Sequence, residues 1–209
     1  VNFDLFLGER FTPTTPKQMI LREIGVKKAM EYNAMWHSRL PVTSYANMIK
    51  NKHKIFFGAE YLDHCFASAM WTDPVAANRM SKQHVWLELR RLAIAPDAPK
   101  NTATWMIAKM IKTIKKNFPD ITRLVSYQDT EVHSGTIYRA ANWVEDSVSV
   151  FQDWSTTLRK RNTLQSKADK IRWIYDLREL NEQQTEYKRT CLDSKSKRTT
   201  VLDLWSRST

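Results

Sequence analysis

The chain has 209 residues, 42% hydrophobic and 26% charged, with a net charge of +11. That length gives one domain, with or without a tail, and enough apolar content for a core, while no run approaches the roughly 18 apolar residues of a membrane span. Its 4 glycines (Gly8, Gly25, Gly58 and Gly135) never cluster, and its 2 cysteines (Cys65 and Cys191) lie far apart, which excludes a phosphate loop, a dinucleotide fingerprint, a zinc cluster and a disulfide framework.

Those cysteines make a reducing cytoplasm the expected setting, and residues Val1 to Arg10 do not read as a signal peptide. The positive charge points to a polyanionic partner. Together with 8 tryptophans, whose faces can stack on bases, it points to nucleic acid.

Residues 1 to 17 read as irregular, with Pro13 and Pro16 among threonines. Met19 to Ile24 predicts a short strand. Val26 to Trp36 predicts a helix with Val26, Ala29, Met30 and Met35 on its apolar side, ending before Pro41. His53 to Tyr61 and His64 to Trp71 predict a hairpin through Leu62-Asp63. His64-Cys65 is no metal pair, since adjacent strand residues face opposite sides.

Val85 to Ala95 predicts a strand whose apolar phase slips. Val85, Leu87 and Leu89 alternate, then Leu92 and Ile94 take the other phase. A β-bulge at Arg90-Arg91 produces such a slip and re-aims side chains beside sites; burial of both faces is the other reading. One of the two arginines would face ligand and the other solvent.

After Pro96 and Pro99, Asn101 caps a predicted helix to Phe118, with Met106, Ile107, Met110, Ile111, Ile114 and Phe118 on one face. Ile121 to Tyr127 predicts an interior strand, with Asp129 just after it. His133 to Trp143 predicts a short helix, Val144 to Trp154 and Ile171 to Leu177 two further strands, and Thr156 to Ala168 a loop. Residues 178–209 turn polar and basic and read as an appendage, helical or partly disordered. Strands mixed with βα units imply an α/β (α+β) domain over 1–177, a mixed sheet flanked by helices.

Chemistry gathers at a few points. Asp97 to Thr104 precedes a helix N-terminus. Lys100, Asn101, Thr102 and Thr104 would serve an anion there, or the segment is simply a well-capped helix start. Asp129 ends a central strand, where ligands of α/β sheets bind; it is a base, an orienting group or a turn former. Tyr138 is a proton donor or a core tyrosine. His37 is a base, a ligand, a phosphate contact, or a C-cap histidine favoured by the helix dipole.

Three ordered blocks carry a resemblance. They are Trp36-His37-Ser38-Arg39-Leu40-Pro41; Trp86 to Leu92 continuing through Asp97 to Thr104; and Ser126-Tyr127-Gln128-Asp129 followed by His133 to Trp143. Lys170-Ile171-Arg172-Trp173 adds a closing strand. Over roughly residues 18 to 177 the chain resembles the phage-borne GNAT-like acyltransferases related to the Mom DNA-modification protein.

The resemblance implies a GNAT-like mixed sheet that splays at its centre, with a C-terminal extension, and admits acetyl-CoA or another acyl-CoA. Leu92, Ile94, Lys100, Asn101, Thr102 and Thr104 would bind that cofactor. His37, Asp129 and Tyr138 would be catalytic. Trp36, Ser38, Arg39, Arg90, Arg91, Ser126, Tyr127 and His133 would face substrate or DNA, duplex or flipped base. The family's loop lacks the usual GNAT glycines, and here Ala98, Pro99 and Ala103 stand in it; Lys100 aligns with a family arginine, and Ser38 stands where the family has a tyrosine. Iron is implied by the resemblance alone, and no residue pattern spells a metal site.

The expected activity is transfer of an acyl-derived group to a nucleobase amine, adenine N6 by resemblance. It would take place in a phage host's cytoplasm and protect DNA from restriction. An acetyltransferase for a protein or small amine is the second reading, and a non-enzymatic DNA-binding protein the third. No membrane is expected, and oligomeric state is not legible.

Overall fold

The computed structural model describes residues 11–37, 44–76, 85–150 and 168–178. After a single 3-10 turn at Pro16–Gln18 the order is β1 (Ile20–Glu23), α1 (Val26–Trp36), α2 (Tyr45–Ile49), β2 (Lys54–Tyr61), β3 (His64–Thr72), β4 (Val85–Ile94), α3 (Thr102–Asn117), β5 (Ile121–Asp129), α4 (Thr136–Ala140), β6 (Val144–Ser149) and β7 (Lys170–Asp176). The strands form one seven-stranded sheet in the order β1-β2-β3-β4-β5-β7-β6. Among the described residues only β4 and β5 pair in parallel, and a parallel pair needs a crossover, which α3 supplies.

The β2–β3 hairpin closes on Leu62 and Asp63, both left-handed (φ 46° and 62°). A two-residue turn with positive φ at both centres matches the twist of its strands. The two sheet faces bury different material. On one side Phe57, Ala69, Trp71, Leu87 and Leu124 pack with Met106, Met110 and Ile114 of α3 and with Tyr138, Trp143 and Trp173. On the other, Ala29 of α1 and Met48 of α2 pack on Phe56 and Met70. The small Ala67 and Ala69 of β3 are fully buried in the crowded sheet interior.

The bulge is present. Met70 lies opposite Arg91 and Trp71 opposite Leu89, so Arg90 is the extra residue of β4. It returns Leu92 and Ile94 to the face that Leu87 and Leu89 occupy, where they pack on the larger core. Beyond it the sheet splits. The β4–β5 ladder ends at Leu89–Ser126, whereas β4 stays paired with β3 to Ile94–Ala67 and β5 stays paired with β7 to Asp129–Lys170. The two strands therefore diverge as a V whose apex is Leu89–Ser126.

Several expectations need correction. Met35 is 68% exposed, and Asn33 takes the buried place instead. Residue 33 stands four from Ala29, on the same stripe, and residue 35 does not. The short α2 has no periodic signal in sequence, being a single turn capped by the Ser44 hydroxyl. α4 is shorter than predicted, because His133 to Gly135 form a loop. Asp129 is the last residue of β5 and not outside it. Val148 and Val150 are exposed, in and just beyond the edge strand β6. The predicted loop over Thr156 to Ala168, apart from Ala168 itself, and the appendage beyond Arg178 lie outside the described residues.

Candidate active site

At the apex, Ser126 Oγ donates to the Leu89 carbonyl at 3.3 Å. Its lone pair is then free to accept from the Tyr138 hydroxyl at 2.9 Å. Tyr138 is 7% exposed. Its ring stacks on Trp173 at 5.4 Å and tilts against Trp143 at 5.6 Å. Burial raises its pKa, with partial relief from the Ser126 hydrogen bond, so the phenol keeps its proton at neutral pH. Tyr138 is thus both a core side chain with a satisfied hydroxyl and a phenol bonded to the residue where the strands part.

The loop between β4 and α3 supplies a second feature. Asn101 occupies the N-cap of α3 in the left-handed region (φ 66°, ψ 10°), and its side chain makes no capping bond. Asparagine is, after glycine, the residue that tolerates this conformation best. A left-handed residue followed by helical ones turns successive N–H groups to one side as an anion-binding concavity. Asn101 therefore takes up a backbone conformation that glycine most readily adopts. Thr102 is 2% exposed, and its hydroxyl donates to the Pro99 carbonyl at 2.7 Å, so it shapes the loop. Lys100 is exposed and Thr104 half-buried at the first turn. Leu92 and Ile94 direct their side chains into the core, on the stretch of β4 that is no longer paired with β5.

The wall under α1 is polar. Ala29, Asn33 and His37 follow at four-residue spacing, so one stripe passes from apolar to polar toward the helix C-terminus. Asn33 is 1% exposed, as is Ser68 on β3. Among the described residues, both amide atoms of Asn33, Ser68 Oγ, His37 Nδ1 and Arg91 Nε are buried without a hydrogen-bond partner; Trp143 Nε1, in the opposite core, is the sixth such atom. Each buried unpaired group costs roughly 1–3 kcal/mol, so five on one face are a large local debt. Arg91 Nη1 donates to the Arg90 carbonyl at 2.6 Å. Arg90 Nε lies 3.4 Å from Glu88, which also accepts from the Val75 N–H at 3.0 Å.

His37 caps α1 at its C-terminus, its N–H donating to the Asn33 carbonyl at 2.9 Å. A histidine there would ordinarily be stabilised as a cation. Its pKa is instead lowered, first by burial, then by Arg91 and by His133. The imidazole is a neutral base at pH 7. The same couplings bring His37, post-bulge Arg91 and His133 of the β5–α4 loop together.

Asp129 behaves as a turn former. Its Oδ1 accepts from the Glu131 N–H at 3.1 Å and its carbonyl from the His133 N–H at 3.1 Å. By strand alternation Asp129 and Tyr127 face the α1 side and Ser126 the other, so Asp129 and Tyr138 do not meet. Buried Gln128 ties this loop down: its Nε2 donates to the His133 carbonyl, and its Oε1 accepts from Trp173 Nε1 at 2.8 Å. Trp36 stacks on Tyr32 at 4.9 Å, nearly parallel. Ser38 and Arg39 lie outside the described residues. Sequence reading missed Asn33, Ser68 and Gln128; the one legible signal was the four-residue spacing from Ala29 to Asn33 to His37.

Among the described residues no three His, Cys, Asp or Glu side chains gather to hold a metal ion. The iron expected from resemblance therefore finds no matching ligand set among them.

A seven-stranded sheet with this order, a bulged fourth strand and a V at its centre defines a class. The chain has the fold of the GNAT acetyltransferases. It superposes on the ribosomal-protein-S18-alanine N-acetyltransferase of Escherichia coli with a TM-score of 0.55 at 11% identity, covering 78% of this chain and 97% of that one. For the spermidine N-acetyltransferase of Vibrio cholerae, solved with CoA and spermine, the values are 0.54, 14%, 77% and 96%. For a GNAT-family acetyltransferase of Streptococcus pneumoniae they are 0.51, 10%, 76% and 98%. No curated protein sequence matches the chain. The Mom protein family model matches residues 18–191, and the chain belongs to that family.

Proposed function

We propose that this chain is an acyl-CoA-dependent transferase that places an acyl-derived group on a nucleobase amine of DNA, adenine N6 in the first instance. In a phage or prophage such a mark would shield DNA from restriction enzymes. The observation that carries the reading is the V between β4 and β5, with the Tyr138 hydroxyl at its apex, in a chain of the Mom family.

The cofactor's parts find matching groups. The concavity at Asn101, with Lys100 beside it, suits a pyrophosphate. The edge of β4 past Leu89, released from β5, offers backbone donors and acceptors to an amide-bearing arm as an added strand would meet them. When bound, an acyl-CoA supplies a thioester carbon, and transfer forms a C–N bond to the acceptor amine as the C–S bond breaks.

His37 accepts the amine proton at its imidazole, which its lowered pKa keeps neutral. Tyr138 holds its proton at the phenolic oxygen and yields it toward the leaving sulfur once its bond to Ser126 is exchanged. Asp129 sets the turn that presents His133. The basic surface, including Lys109, Lys112 and Lys116 along α3, serves phosphate contact.

Fold neighbours named for spermidine and for a ribosomal protein favour a second reading, an acetyltransferase for a small amine or protein. The deciding experiment is nucleoside mass spectrometry of DNA from cells expressing the protein beside a His37→Ala control. A new adduct lost in the control supports base modification. DNA unmodified in both, together with acetylation of spermidine or a peptide amine by purified protein, supports the second reading.

A further inference from the structure

The excess positive charge is not spread evenly over the described residues. Every arginine of the strands has a partner there. Arg22 pairs with Glu60, Arg90 with Glu88, Arg123 with Asp176 and Arg172 with Asp146, while Arg91 donates to the Arg90 carbonyl. α1 sets Glu31 three and four residues after Lys28 and Lys27, the spacing of helical ion pairs. α3 has no such balance. It carries Lys109, Lys112, Lys115 and Lys116 and no acidic residue. Among the described residues no carboxylate forms an ion pair with Lys109, Lys112 or Lys116.

The helix dipole favours Lys116, in the last turn. It does nothing for Lys109 and Lys112, which stand mid-helix. Spacings of three and four residues along these lysines set like charges side by side, at a cost to the helix. All three are exposed on one face, opposite buried Met106, Met110 and Ile114. From Lys109 to Lys116 the helix rises about 10 Å, the rise of about three nucleotides of one DNA strand.

The face also lacks what a protein partner would use. Protein interfaces centre on apolar or aromatic anchors with charge at the rim, and no large hydrophobic side chain of α3 is among the exposed ones. Contact with a phosphate backbone needs only donors and positive charge.

We propose that the outer face of α3 holds the sugar–phosphate backbone of duplex DNA through Lys109, Lys112 and Lys116. The proposal rests on the DNA reading above and adds where the polymer is held. α3 covers the sheet face of Leu87 and Leu124, whereas Arg91 lies with Met70 on the α1 face, beside His37. The phosphates on α3 therefore belong to DNA that flanks the modified nucleotide and are not that nucleotide's own.

The test measures binding of a mixed-sequence DNA duplex by the full chain between about 0.05 and 0.2 M salt. It compares wild type, the variant Lys109→Gln/Lys112→Gln/Lys116→Gln and a control of equal charge, Lys27→Gln/Lys28→Gln/Lys50→Gln, on α1 and α2. CoA affinity is measured beside them. The α3 variant is expected to bind DNA about tenfold or more weakly, with the slope of log K against log salt shallower by about 2–3. The control stays close to wild type, because a Debye length of about 10 Å at 0.1 M confines each charge to its neighbourhood. CoA affinity is unchanged in both. Lys109→Gln and Lys112→Gln alone each flatten the slope by about one, so the reading does not hang on the folding of the triple variant.

An equal loss in the control marks net charge alone and overturns the proposal. An unchanged slope in the α3 variants overturns it as well, and DNA binding by wild type then leaves the nucleobase reading standing. Loss of CoA affinity in place of DNA affinity assigns the lysines to the cofactor and overturns it too. Wild type that prefers poly-L-glutamate to duplex overturns it in favour of an acidic protein partner. Wild type that binds no DNA across this salt range overturns the nucleobase reading with it.

Discussion

Tyr138 and Ser126 share a 2.9 Å hydrogen bond at the residue where the parallel ladder of the sheet ends. The same serine donates to the Leu89 carbonyl, so phenol, hydroxyl and the last paired strand residue form one chain of contacts across the apex. The phenol is thereby fixed in place, and its burial keeps it protonated.

Replacing Tyr138 by phenylalanine tests that role. The ring stays packed between Trp143 and Trp173, so the stability cost is about 1 kcal/mol for one lost hydrogen bond. If the phenol protonates the leaving thiol, kcat falls by about a hundredfold with little change in KM. Steady-state kinetics with acetyl-CoA and thermal melting separate the two effects. Ser126→Ala leaves the phenol in place and lowers kcat far less.

Asn101 yields a second prediction. Glycine accepts a φ of 66° without strain, so Asn101→Gly keeps CoA affinity. Asn101→Val puts a β-branched side chain in the left-handed region at a cost of about 1–2 kcal/mol and turns the first N–H groups of α3 away. Calorimetric titration with CoA is expected to show binding weakened by about tenfold for valine alone, since 1.4 kcal/mol is a factor of ten.

The acid limb of the pH–rate profile follows from His37. A general base works only when unprotonated, so rate rises with pH through its pKa. Burial, then Arg91 and His133, lower that pKa below 6.5, and the limb is expected below pH 6.5. Removing the cation in Arg91→Gln relieves part of the repulsion of the imidazolium and moves the limb to higher pH. His37→Gln abolishes it. Profiles of kcat/KM for the three proteins check the sign; a limb that Arg91→Gln leaves in place or moves to lower pH contradicts it.

Gly135 precedes α4 with φ +74°, and a Cβ there would come within 2.7 Å of the Trp173 ring. Gly135→Ala is therefore strained by backbone and by contact. A loss of about 1–3 kcal/mol is expected, lowering the melting temperature by about 2–4 °C per kcal/mol. Activity falls with it, because the same loop carries His133 and leads into Tyr138.

Much of the fold was legible in local pattern. α1 matches its predicted bounds, and the apolar positions of α3 that repeat every three or four residues are the ones buried. The slip of phase at Arg90-Arg91 announced the bulge, since one inserted residue inverts every side chain after it. Of the site, His37 and Tyr138 were legible as residues capable of acid–base work. Asn33 was not, because a polar residue in a helix reads as solvent-facing until the helix has a sheet to lie on.

The sequence by itself determined the order of the elements other than α2, the phase slip at Arg90-Arg91 and the absence of a glycine-built phosphate loop, because each depends on neighbours within a few residues. Tertiary structure alone decided three things. The splitting of β4 from β5 depends on which strand each keeps pairing with, a matter of partners distant in the chain. The meeting of Tyr138 with Ser126, and the parting of both from Asp129, depend on which side of the sheet α4 packs against. The lowered pKa of His37 depends on burial and on Arg91 and His133, groups that only the folded chain brings beside it.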